Sequence, residues 1–202
     1  FSGAAAGKWC SYAVPGDQPV DQRIDDGGAL VFETAPLADP HEIAGDPAAE
    51  LVLSVDRPVA QVAVRLSDVA PDGRATRVSY GVLNLTHRDG HAAPEPLEPG
   101  RRYTVRVPMK VVAQHFRAGH RIRLSVSSTY FPMIWPAPEP VEITVHAAGS
   151  ALELPLRTPS EADAALAPFA EPEWAAPSET EAIEPAGAGW RVVHDLATDE
   201  IA

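Results

Sequence analysis

From Ala29 to about Arg157 the apolar side chains return at every second residue, in one short run after another. A period of two puts successive side chains on opposite faces of an extended strand, whereas a helix needs a spacing of three or four. Val62, Val64 and Leu66 alternate with Ala63, Arg65 and Ser67. Tyr103, Val105 and Val107 alternate with Thr104, Arg106 and Pro108, and Ile122, Leu124 and Val126 with Arg121, Arg123, Ser125 and Ser127. Val141, Ile143 and Val145 alternate with Glu142, Thr144 and His146, and Leu152, Leu154 and Leu156 close the series. Shorter β-rich runs precede these at Leu30-Val31-Phe32 and at Leu51-Val52-Leu53-Ser54-Val55.

The run from Val78 to Leu85 changes phase. Val78, Tyr80 and Val82 point one way, then Leu83 and Leu85 take over the apolar role, and the slip beside Gly81 predicts a β-bulge there. Turn chemistry separates the runs at Asp56-Arg57-Pro58, Pro71-Asp72-Gly73, Glu98-Pro99-Gly100 and Ala148-Gly149. Eight strands result, and only Lys110 to Arg117 reads as helical, for one or two turns. Strands that follow one another without crossover helices specify an all-β fold, an antiparallel sandwich or barrel.

The flanks have a different texture. Residues 1–28 form a loop-rich lead-in, with a strong turn signal at Asp25-Asp26-Gly27-Gly28. The β-sandwich is expected over 29–158. Residues 159–189 are acidic and rich in Pro and Ala, without a basic residue, and suit a strap or linker that buries little. Phe169, Trp174 and Ile183 are the side chains expected to pin it. Residues 190–202, from Trp190-Arg191-Val192-Val193, resemble the start of a further strand whose partner is expected beyond Ala202. With no initiator Met before Phe1, the chain reads as excised from a longer polypeptide.

Charge narrows the function classes. Sixteen basic against 28 acidic residues leave −12, a field that repels phosphate backbones and anionic lipid, so neither nucleic acid nor membrane is an expected partner. No apolar run approaches the ~20 residues of a membrane helix, and no signal peptide is visible. The single cysteine, Cys10, excludes an intramolecular disulfide and a Cys-based zinc site, and a reducing cytoplasmic compartment is expected.

The chain offers little catalytic machinery. No Gly-x-Ser-x-Gly elbow, no phosphate-binding glycine loop and no dinucleotide fingerprint occurs, so no catalytic residue and no cofactor is assigned. His87-Arg88-Asp89-Gly90-His91 has the residue types of a metal site, but Asp89-Gly90 reads more simply as a turn flanked by solvated histidines. His115 and His120 lack a neighbouring nucleophile and suit surface or packing roles, and Arg121 and Arg123 suit a solvated strand face. The segment Tyr130-Phe131-Pro132-Met133-Ile134-Trp135-Pro136 is unusual, because prolines bracket apolar side chains that cannot lie in a central strand. Tyr130, Phe131, Met133, Ile134 and Trp135 are the candidate cleft or interface residues, either facing a partner or folding back over the sandwich end.

An ordered series of segments carries a family resemblance. It runs from Val78-Ser79-Tyr80-Gly81-Val82-Leu83-Asn84-Leu85-Thr86-His87-Arg88 through Leu97-Glu98-Pro99-Gly100 and Tyr103-Thr104-Val105-Arg106-Val107-Pro108. It continues with Phe116-Arg117-Ala118-Gly119-His120-Arg121-Ile122-Arg123-Leu124 and Ser127-Ser128-Thr129-Tyr130-Phe131-Pro132. This series, over roughly residues 20–157, resembles the C-terminal domain of X-Pro dipeptidyl-peptidase and cocaine-esterase-type hydrolases, the CocE/NonD group of peptidase family S15. The resemblance implies a jelly-roll, galactose-binding-like β-sandwich that follows an α/β-hydrolase catalytic domain in the same polypeptide. The Ser-Asp-His triad would belong to that domain, and the sandwich would pack on it, help wall its cleft and join the contacts of a homo-oligomer. Relatives often follow the Phe-Pro pair with a polar segment, whereas this chain has Met133-Ile134-Trp135-Pro136. The competing expectation is a stand-alone module for carbohydrate or another small ligand, with Trp9, Trp135, Trp174 and Trp190 available for stacking.

Overall fold

A computed structural model describes the chain except residues 1, 12–16, 180, 182–192, 196, 199 and 202. Two compact units emerge, Phe1–Arg157 and Thr158–Ala202. In the first, the strands are β1 (Leu30–Glu33), β2 (His41–Gly45), β3 (Ala48–Val55), β4 (Gln61–Val69), β5 (Ala75–Asn84), β6 (Tyr103–Pro108), β7 (Val112–Phe116), β8 (Arg121–Ser127) and β9 (Ile143–Glu153). All pairings are antiparallel: a four-stranded sheet in the order β1-β8-β4-β5, a three-stranded sheet β6-β3-β9, and the pair β2-β7.

The main core lies between the two larger sheets, as a β-sandwich requires. Leu51, Leu53 and Val55 of β3 with Val105 and Val107 of β6 meet Val62, Val64 and Leu66 of β4 with Ile122, Leu124 and Val126 of β8. Each such side chain is worth about 1.5–3 kcal/mol when removed from water, which makes this alternation the main source of the fold's stability.

Several elements depart from the sequence reading. Lys110–Arg117 is not helical, because Val112 to Phe116 forms β7 against β2, with Gln114 opposite Ile43. β2 itself escaped the periodicity, since in His-Glu-Ile-Ala-Gly only Ile43 is buried. The two last apolar runs merge largely into β9, and Leu156 makes only an isolated bridge to Ile43. Within β9, residues 147–150 bulge opposite Leu51. The Ser150 hydroxyl closes that bulge by accepting from the Val52 amide at 3.0 Å and donating to the His146 carbonyl at 2.8 Å.

The irregularity in β5 sits at Val78, not Gly81: Leu66 pairs with Ser79 and Ser67 with Arg77, so Val78 is the extra residue. Gly81 keeps regular pairing with Val64 and serves close approach, because a Cβ there would collide with the Pro108 carbonyl oxygen. The bulge turns Val78 and Leu83 toward the main core and Tyr80 and Val82 toward the opposite face. The lead-in also contains one helical turn, α1 (Arg23–Asp26).

In the second unit a 3₁₀ turn spans Glu161–Ala165, where the Asp163 carboxylate accepts from the Ser160 amide at 3.0 Å. Phe169 and Trp174 are exposed. Strand β10 (His194–Asp195) pairs with β11 (Glu200–Ile201), so the partner of the terminal strand lies inside the chain. Ile183 and Trp190 fall outside the described residues.

Candidate functional site

The outward face of β4 carries Ala63, Arg65 and Ser67, all at 0% exposure, so both faces of this strand are covered. The cover is the lead-in segment and the loop after β8. Ala6, Ala63, Tyr80, Tyr130 and Met133 form a second apolar cluster there, with Val82 and Ile134 packed against it.

Cations alternate with aromatic rings across this face. Lys110 Nζ lies 4.8 Å from the Trp9 ring and 5.3 Å from Tyr80. The Arg77 guanidinium lies 4.6 Å from the centre of the Tyr80 ring and also donates to the Tyr130 hydroxyl at 2.5 Å and the Ala6 carbonyl at 2.9 Å. Arg65 lies 5.7 Å from Tyr130. Each cation–ring contact contributes about 0.5–2 kcal/mol, the larger value where water is excluded. Burial pushes the Tyr130 hydroxyl pKa up, against the opposing pull of Arg77.

Beneath the rings runs a chain of ion pairs. Arg65 sits 3.2 Å from Asp25 and 3.1 Å from Asp26, Arg123 sits 2.6 Å from Asp26 and 2.5 Å from Glu33, and Arg121 sits 2.6 Å from Glu33. The Ser125 hydroxyl donates to Asp26 at 2.6 Å, and Asp25 accepts from the Ala5 amide at 3.1 Å. Three cations thus meet three carboxylates, the balance that burial of charge demands. Burial works against the charge on Arg123, but the carboxylates of Asp26 and Glu33 outweigh it and raise its pKa. Asp25-Asp26-Gly27-Gly28 is therefore an ion-paired anchor as well as a turn, and Arg121 and Arg123 are ion-paired, not merely solvated.

The candidate loop divides by exposure. Tyr130 and Met133 are buried, Phe131 and Ile134 are half-buried, and Trp135 is 82% exposed. Trp135 is nevertheless oriented: Phe131 meets it edge-on at 6.0 Å, and its carbonyl accepts from Gln61 Nε2 at 2.8 Å. The lead-in clamps the same loop. Ser2, 1% exposed, donates its amide to Thr129 Oγ1 at 3.0 Å, and Gly3 at φ 129° packs where any Cβ would strike the Phe131 carbonyl. The involvement of Trp9, Tyr80, Arg77 and Lys110 was not read from the sequence. The one trace was Arg65 flanked by small Ala63 and Ser67, the composition of a covered strand face.

The remaining polar candidates stay apart. His87 and His91 approach each other at Nδ1···Nδ1 3.1 Å, while Asp89 pairs with Arg88 at 3.3 Å. Among the described residues no group of three or more His, Cys, Asp or Glu is placed to hold a metal. His120 Nδ1 lies 2.8 Å from Asp68, and His115 lies 3.3 Å from Glu42, whose pKa is lowered by His115 and then Arg157. Ser54 Oγ lies 3.3 Å from His146 Nε2 across β3 and β9. An apolar cleft of about 270 Å³ opens between β1 and β9, lined by Phe32, Leu51, Ile122, Leu124, Val145 and Leu152. Its rim carboxylate, Glu33, is held by Arg121 and Arg123.

A cocaine esterase from Rhodococcus sp. (strain MB1 Bresler) is 35% identical over 119 residues, covering 58% of this chain and 20% of the relative. The chain therefore spans about a fifth of that relative's length. Among solved structures, an α-amino acid ester hydrolase matches with TM-score 0.63 and 26% identity, over 68% of this chain and 27% of that one. An aminopeptidase from a marine sediment Thaumarchaeota archaeon matches with TM-score 0.64 and 27% identity, over 74% and 30%. The family described as the X-Pro dipeptidyl-peptidase C-terminal non-catalytic domain matches residues 2–166. That match spans most of the chain, and the chain belongs to this family of C-terminal non-catalytic domains.

Proposed function

We propose that the chain serves as the C-terminal accessory domain of a serine hydrolase acting on esters or Xaa-Pro peptide bonds. It packs on an α/β-hydrolase catalytic domain of the same polypeptide, with the outer aromatic face and the Trp135 loop turned toward that domain's cleft. The observation that carries this reading is the match of residues 2–166 to the X-Pro dipeptidyl-peptidase C-terminal non-catalytic domain family. Trp9 and Trp135 are two large exposed apolar side chains of the kind that mark a contact with another body. Three relatives or neighbours that are hydrolases by name support the class of the parent.

The apolar loop then tunes the cleft toward apolar acyl or side-chain groups. The test uses the full-length polypeptide and compares kcat/KM of Trp135→Ala on small and bulky acyl esters. A loss confined to bulky esters is expected, and equal losses on both overturn the cleft assignment. The 202-residue chain alone is expected to hydrolyse neither.

A further inference from the structure

We infer that His87 and His91 form a chelating site for a divalent transition-metal ion, zinc or copper, with the remaining coordination positions filled by water. The inference is independent of the hydrolase reading. Two nitrogens bound to one zinc at about 2.0–2.1 Å stand roughly 3.0–3.4 Å apart for ordinary ligand angles. The Nδ1 atoms of His87 and His91 stand 3.1 Å apart.

The loop holding them is built before any ion arrives. Leu85 is fully buried in the main core. Asn84 Oδ1 accepts from the Thr86 amide at 3.1 Å and from the Thr86 hydroxyl at 2.8 Å. The Arg88 guanidinium ties both ends of the loop together, donating to the Leu85 carbonyl at 3.1 Å and the Glu95 carbonyl at 2.8 Å, and it stacks 4.8 Å from the Tyr103 ring. The Glu95 amide donates to the Thr86 carbonyl at 2.8 Å, and the Gly90 amide to that of His87 at 3.0 Å, so the turn predicted at Asp89-Gly90 brings the histidines together.

Without an ion the two facing nitrogens share a single proton, one ring donating and the other accepting. The ion takes both lone pairs, and the donor ring's proton moves to its Nε2. Each ring then offers an unprotonated Nδ1 to the ion and keeps its proton on Nε2. The usual selectivity order makes copper(II) the tighter ligand and zinc(II) the weaker one.

The experiment titrates zinc chloride into the chain carrying Cys10→Ser, which removes the exposed thiol as a competitor. Calorimetry reads stoichiometry, and ¹H–¹⁵N imidazole spectra read the ligating atoms. One zinc per chain is expected, with the Nδ1 resonances of both His87 and His91 shifted and binding at least about tenfold weaker in His87→Ala and in His91→Ala. His91 is exposed, so its variant folds as the parent does. Absence of binding overturns the site, as does binding that moves other histidines or survives both substitutions.

Discussion

The Arg65 guanidinium, at the centre of the four-stranded sheet, lies 3.2 Å from the Asp25 carboxylate, with both side chains 1% exposed. This contact joins a central strand to the lead-in segment, forty residues earlier, and Asp25 passes the tie on to the Ala5 amide. The sheet's outer face thereby becomes a second interior, and the loop bearing Trp135 rests on it.

Breaking that contact from one side leaves a buried charge without its partner. Asp25→Ala is expected to destabilise the chain by about 3–5 kcal/mol, read as a lower urea midpoint. A change below about 0.5 kcal/mol would mean that the lead-in contributes nothing to stability.

The candidate loop predicts an asymmetry between neighbours. Met133→Ala empties a buried position and is expected to cost about 2–5 kcal/mol. Trp135→Ala removes an exposed ring and should leave the unfolding midpoint of the chain within about 0.5 kcal/mol of the parent. Equal costs would refute the division of the loop into a buried anchor and a presented side chain.

Alkaline pH should weaken the fold through Tyr130. Burial raises its pKa above the ordinary 10.0, so the folded state holds the proton more tightly than the unfolded one. The contribution is complete below pH ~10 and is lost as pH rises from there through the folded value. Tyr130→Phe should flatten that decline, which chemical unfolding between neutral and alkaline pH would measure.

Acid acts through Asp21, whose pKa is lowered from 3.8 to about 2, chiefly by its hydrogen bond from Arg23. Its folded pKa is depressed, so its stabilisation is present above pH ~4 and disappears as pH falls toward 2. The carboxylate also accepts from the Ala75 amide at 3.3 Å, joining the lead-in to β5. Asp21→Asn should reduce the slope of stability against pH in that window; an unchanged slope would remove Asp21 from the account.

Close backbone approach gives the last prediction. Gly81→Ala should cost about 1–3 kcal/mol, because its Cβ meets the rigid Pro108 carbonyl and not a movable side chain. Gly27→Ala serves as the control, since its φ of −62° is helical and its Cβ would sit 3.4 Å from the Ile24 carbonyl oxygen. Thermal unfolding of the two variants would separate them.

Strands with strong local alternation were legible because one face of each meets the sandwich core. The Val62–Leu66 and Ile122–Val126 runs lie in such strands, whereas Leu30-Val31-Phe32 forms the edge strand β1, with every residue exposed. β2 and β7 were not legible: His-Glu-Ile-Ala-Gly and Val-Ala-Gln-His-Phe lack a clean period, and it is their mutual pairing that makes them strands. Tertiary pairing overrides weak intrinsic preference in such segments. The Gly81 reading failed for a related reason, since one partner strand, not the local sequence, decides which residue of β5 is extra.

The candidate loop was visible as a cluster of Tyr, Phe, Met, Ile and Trp between prolines, but its division was not. Whether Tyr130 is buried and Trp135 exposed depends on Ala6, Ala63 and Tyr80, which lie far from the loop in sequence. The sequence by itself determined the all-β sandwich, through the period of two, and the absence of a nucleophile elbow, because both are properties of adjacent residues. Only the tertiary structure decided that the outer face of β4 is buried and that Arg65 finds Asp25 there. Those outcomes depend on contacts closed between segments by the loops, and no local pattern encodes which distant backbone will cover a given side chain.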